Sequence, residues 1–146
     1  MLRRQTSDTN PMDWFAFAAE RIRGADVLWE HEGLTALGIE ALSEGVERYL
    51  KGYLIAKGWP LIKTHDLERL VQEAAVFDQR FNRFLPLAIE LTEDFFAQHY
   101  PGDDTTNTGQ NYEALRQLTE ELISAIQSLL PHFFPASPSL DSSHST

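Results

Sequence analysis

The chain has 146 residues, with twelve Lys and Arg against twenty-two Asp and Glu, a formal charge of −10. A domain of that length can bury a sizeable core without staples, and 42% hydrophobic with 23% charged residues excludes a disordered or membrane-embedded chain. No apolar run approaches the ~20 residues of a bilayer span, and the lack of Cys removes disulfides, thiolate nucleophiles and Cys-ligated metal centres. No apolar segment follows Arg3-Arg4, so no secretory leader is expected and the chain reads as cytoplasmic.

Leu and Ala far outnumber Val, and no β-branched run reaches strand length. Good helix formers thus dominate, and the expected fold is all-α. Residues 1–12 read as a flexible arm ending at Asn10-Pro11. The first helix is predicted from Asp13 to Glu30, with Trp14, Phe17, Ala18, Ala25 and Leu28 as apolar positions. A longer second helix runs from Thr35 to Lys57 and stops at Gly58-Trp59-Pro60. Its buried stripe is Ile39, Leu42, Val46, Leu50 and Tyr53, at helical spacing. Thr64 reads as the N-cap of a third helix ending near Val76, with Asp66 in its first turn. Pro86 marks a fourth helix starting near Leu85, or a kink. A loop follows from Tyr100, and a fifth helix from Gln110 to Leu130 places Leu115, Leu118, Leu122, Ile126 and Leu129 on one face. Residues 13–131 then form an up-and-down bundle of four or five helices, followed by a disordered Pro/Ser-rich tail over 132–146.

Charge is unevenly spread. Residues 48–83 carry seven basic and four acidic groups, while residues 84–146 carry one basic and nine acidic. An acidic chain is a poor non-specific DNA binder, although a local basic island can hold a phosphate-bearing ligand or an RNA edge. On the second helix Glu40, Glu44, Glu47 and Lys51 share one stripe. That stripe is either a solvated, salt-bridged face or the wall of a groove in which Lys51 meets a phosphate. Gly38, Gly45 and Gly52 recur every seven residues on the same helix. Each costs ~1 kcal/mol against Ala in a helix, so the pattern implies close approach of another backbone, either the first helix or a second copy of the chain. No His-Glu-x-x-His, Glu-x-x-His pair, phosphate-binding Gly loop or Gly-x-Ser-x-Gly elbow is present, so neither metal nor cofactor is expected.

Residues 42–67 add a more specific signal. Glu47-Arg48, Lys51 one turn on, and Lys63-Thr64-His65-Asp66-Leu67 ahead of the third helix resemble the HEPN domains (higher eukaryotes and prokaryotes nucleotide-binding). The helix order fits that family over residues 13–131. The resemblance implies a helical bundle that forms a homodimer and binds a nucleotide or a small nucleotidyltransferase protein. It implies ligand contacts at Glu47, Lys51, Lys63, His65, His99 and Tyr100, with His65 alternatively only pinning the linker to the second helix. Two departures matter. Many members have Arg-Tyr-Pro where this chain has His99-Tyr100-Pro101. The ribonuclease branch uses Arg, a spacer of four to six residues, then His. Here seven residues separate Arg23 from His31, and Arg80 and Arg83 have no His within reach. The expected function is therefore a non-catalytic binding module, the alternatives being a metal-independent ribonuclease toxin with a departed active site or a purely structural interaction domain.

Overall fold

The computed structural model describes residues 5–61, 63–99 and 111–135. Among them are five α-helices and no strand: α1 (Pro11–Glu32), α2 (Ala36–Ala56), α3 (Leu67–Phe77), α4 (Leu85–His99) and α5 (Tyr112–Leu129), with a 3₁₀ helix over Gln79–Phe84 before α4. The fold is the all-α bundle read from composition and periodicity.

Local chemistry sets the helix ends. The Asn10 side chain accepts from the Met12 amide, with Pro11 in the first turn, where its missing N–H costs nothing. Gly33 closes α1 at φ 72°, a left-handed conformation that a Cβ would penalise. Thr35 then caps α2 by accepting from the Gly38 amide at 2.9 Å. Pro86 is the second residue of α4, so it starts a helix and kinks none.

The expected cap of α3 is corrected. Asp66, not Thr64, is its N-cap, accepting from the Arg69 amide at 3.2 Å. Thr64 accepts from the Asp66 amide instead, forming a turn just before the helix. Both residues have capping chemistry, and the register of Leu67, Leu70, Val71 and Ala74 against the core decides between them.

α1 and α2 form an antiparallel hairpin whose contact is built on the spaced glycines. A Cβ on Gly52 would meet the Phe15 ring at 2.5 Å, one on Gly45 would clash with Ile22, and Gly38 lies against Leu28. The glycine face is thus filled by α1 of the same chain. The same contacts correct the α1 core. Phe15, Ala18, Ile22 and Ala25 are buried, whereas Trp14 and Leu28 are half-buried and Phe17 is exposed. Ala18 and Ala25 are buried as expected, and Phe15 and Ile22 join them because the Gly52 and Gly45 sockets of α2 receive their side chains.

α2 is the central helix. Ile39, Leu42, Val46, Leu50 and Leu54 are wholly buried, each contributing ~1.5–3 kcal/mol of transfer energy. Tyr53 packs on Phe81 with ring centroids 4.6 Å apart, joining the 3₁₀ segment to α2. Leu115, Leu122 and Ile126 of α5 complete the core, while Leu118 and Leu129 are half-buried at its edge. A bidentate pair between Arg116 and Asp26, at 2.7 and 3.0 Å, ties α5 to α1. The Tyr112 ring stacks on Trp29 beside it, at 4.4 Å.

Both ends differ from the expected boundaries. Residues 5–10 fold back on α1, with the Ser7 amide donating to Asp13 and the Trp14 indole to the Asp8 carbonyl. Past α5, Phe133 and Phe134 pack on the core, and the Phe134 ring lies 4.9 Å from Phe15. The packed unit therefore reaches Phe134. The tail beyond residue 135 and the loop over residues 100–110 lie outside the described residues.

Candidate functional site

The spacing of Glu47 and Lys51 on α2 stacks their side chains one turn apart. The Lys51 ammonium donates to Glu47 Oε2 at 2.7 Å, and the two side chains are only 6% and 10% exposed. The Lys51 Nζ also stands 5.6 Å from the centroid of the Trp14 ring, a cation–π contact from α1. The solvated-stripe reading of these two residues is corrected: the stripe turns inward here, because α1 brings Trp14 over it.

His65, in the linker before α3, reaches back to the same carboxylate. Its Nδ1 lies 3.0 and 3.1 Å from the two Glu47 oxygens. An ionised carboxylate only accepts, so Nδ1 donates, which leaves Nε2 on the outward edge of the ring. The His65 side chain is 90% exposed. It therefore pins the linker to α2 while presenting one nitrogen to solvent.

About one turn nearer the start of α2 than Glu47, Glu44 binds Arg21 of α1 at 2.8 Å and lies 3.6 Å from Arg48. Between this part of α2 and the last turns of α4 is a cavity of about 210 Å³. Glu40, Ser43, Glu44 and Glu47 form its α2 wall, Phe95 and Phe96 its α4 wall, and His65 closes one side. The Ser43 hydroxyl is buried and has no hydrogen-bond partner among the described residues.

Of the six residues expected at the site, Glu47, Lys51 and His65 thus converge. Lys63 is exposed and shares no hydrogen bond or ion pair with them among the described residues. His99 ends α4, but its side chain, like all of Tyr100, lies outside the described residues. Trp14 and Ser43 were not anticipated. Ser43 did carry a signal, four residues before Glu47 on the same side of α2; Trp14 carried none, since its approach depends on the α1–α2 packing.

Electrostatics elsewhere are set by local crowding. Partial burial, with Glu90 and Glu93 on the same helix, pushes the Asp94 carboxyl up to about 6. Burial and the nearby Asp26 carboxylate push the Tyr112 phenol up to about 12. Among the described residues no group of three or more His, Asp or Glu side chains could hold a metal ion. No described helix is long and apolar enough to cross a membrane.

No curated protein and no solved structure matches the chain. A family model described as the HEPN domain matches residues 12–129, from the first turn of α1 to the end of α5. That span covers every helix that builds the core and both helices that carry Glu47, Lys51 and Phe96. The chain belongs to the HEPN domain family.

Proposed function

We propose that the protein is a non-catalytic HEPN module that works as a homodimer and binds a partner protein, a small nucleotidyltransferase being the partner to try first. The observation that carries the reading is the state of Lys51, whose charge is engaged by Glu47 beneath the Trp14 ring. Metal-free RNA cleavage needs a general base near the 2′-hydroxyl and a cation for the developing phosphate charge. His65 offers an outward nitrogen, but the cation beside it is neutralised by the carboxylate that both share. Among the described residues the adjoining cavity has three glutamates and no Lys or Arg in its walls, so a phosphate entering it would find no cation that is not already paired from behind, as Arg21, Arg48 and Lys51 are. These walls favour a protein partner over a nucleotide. Dimerisation and the nucleotidyltransferase rest on the habits of the family.

The nucleotide reading has one observation in its favour, the exposed His65 and Lys63 at the entry to α3. Thermal shift against ATP and GTP separates the two, because a ligand at a hundredfold over its Kd stabilises the fold by ~2.7 kcal/mol. The expected outcome is no shift with either nucleotide, no cleavage of single-stranded RNA, and a stable complex when the module is co-expressed with a nucleotidyltransferase. A nucleotide shift lost in both His65→Ala and Lys63→Ala establishes the nucleotide reading. RNA cleavage lost in His65→Ala or His99→Ala establishes the ribonuclease.

A further inference from the structure

We infer that the outer face of α1 is the surface on which a second copy of the chain docks, the two α1 helices lying antiparallel about a two-fold axis at the level of Ile22. The inference rests on the homodimer reading above and names the face that makes the dimer. Phe15, Ala18, Ile22 and Ala25 turn inward, which leaves Met12, Phe17, Glu20, Arg23 and Val27 exposed. Met12, Phe17 and Val27 are 39%, 48% and 53% exposed. An exposed apolar residue is ordinary by itself. The arrangement of this set is what points to a second copy.

Two pairs of residues on the face share one midpoint. Phe17 and Val27 stand ten positions apart, about 15 Å along the helix, and centre on Ile22. Glu20 and Arg23 centre between Arg21 and Ile22. In an isologous contact, residue i of one copy meets residue j of the other while j meets i. One antiparallel two-fold therefore brings Phe17 against Val27 and Glu20 against Arg23, each twice. A parallel arrangement would instead set Glu20 on Glu20 and Arg23 on Arg23.

The charges favour this partner. Arg23 forms no hydrogen bond or ion pair among the described residues. Glu20 is 65% exposed and lies 3.4 Å from the adjacent Arg21, whose shorter bond, at 2.8 Å, goes to Glu44. With a net charge of −10, two copies repel over most of their surface. Between Ala16 and Val27, however, the exposed charges of α1 balance at one Glu and one Arg. Phe17 also walls a recess of about 150 Å³ together with Trp14 and residues 6–8. At about 30 Å³ for each water-sized group, it has room for the three side-chain carbons of the valine that the second copy presents there.

The test is sedimentation of the full chain over a concentration series, with circular dichroism to show that each variant is folded. The parent chain is expected to dimerise. Val27→Lys, Glu20→Arg and Arg23→Glu should each raise the dimer Kd tenfold or more, since either charge change leaves four like charges at the axis. Mixing Glu20→Arg with Arg23→Glu sets two arginines against two glutamates, and should give a heterodimer with a Kd within threefold of the parent. Val76→Ser, at an exposed apolar site on α3, should leave the Kd unchanged. A parent dimer that survives Val27→Lys and both charge changes overturns the α1 face and leaves the homodimer reading standing. Charge variants that weaken the dimer but do not rescue one another on mixing overturn the antiparallel pairing. A parent chain that stays monomeric at every concentration overturns the homodimer reading and this inference with it.

Discussion

Lys51 and Glu47 form an ion pair that is nine-tenths buried, held at 2.7 Å one turn apart on α2 and beneath an indole ring of α1. Removing one member of such a pair is costly because the other stays behind with its charge. Lys51→Ala should lose about 3–5 kcal/mol of stability, whereas the double change Glu47→Gln with Lys51→Met should recover most of it. Urea unfolding of the two variants checks this. A single variant within 0.5 kcal/mol of the parent chain, on the scale of exposed pairs, would place Lys51 on a solvated face.

The glycines of the first hairpin should respond in opposite directions. Gly24 faces open space, so Gly24→Ala should stabilise by ~0.5–1 kcal/mol through helix propensity. Gly52→Ala drives a methyl into the Phe15 ring and should cost ~1–3 kcal/mol. Thermal unfolding midpoints that move the same way in both variants would contradict the packing of α1 on α2.

The start of α3 gives a sharper comparison. Asp66→Ala removes the cap and should cost ~1 kcal/mol, while Thr64→Ala should cost less than half of that. The sequence offers two capping residues two positions apart, Thr64 and Asp66, and periodicity alone leaves the boundary uncertain by that much. A larger loss from Thr64→Ala would restore the helix start read from the sequence.

Asp94 makes stability depend on pH in a direction unusual for a carboxylate. Its folded value, about 6, lies above the ordinary 3.8, so the folded state holds a proton that the unfolded chain releases. Its contribution is therefore present below about pH 4 and lost as pH rises through 6. Relative to the parent chain, Asp94→Asn should gain stability between pH 4 and 6 and keep that gain at pH 7. Parallel melting curves across that range would show that burial and the neighbouring Glu90 and Glu93 exert no such pressure.

The helices and their order were legible because Leu, Ile and Ala recur at three- and four-residue spacing on α2 and α5, and because Pro86 and Gly58 mark ends that backbone chemistry enforces. The convergence of Glu47, Lys51 and His65 was also legible, from their match to a family pattern. What escaped was rotational. Phe15 and Phe17 differ little in composition or neighbours, yet one fills the Gly52 socket and the other faces solvent. Which side of α1 meets α2 is settled by tertiary fit, and with it whether Lys51 is roofed by Trp14 or left in water. The Ser43 hydroxyl escaped for the same reason, since its burial depends on where α4 comes to rest.

The pair between Asp26 and Arg116 joins residues ninety positions apart, and Arg116 is the lone basic group after residue 83. The α1–α2 hairpin closes over a short connection and forms from local contacts alone, whereas the clasp on α5 requires a long loop to be closed first. During synthesis the first hairpin is therefore available while the last helix is still in the ribosome. Until α5 emerges, Trp29 lacks its stacking partner and Asp26 its counter-charge. The local α1–α2 hairpin thus precedes the long-range clasp, in which Leu115, Leu122 and Ile126 dock together with Arg116.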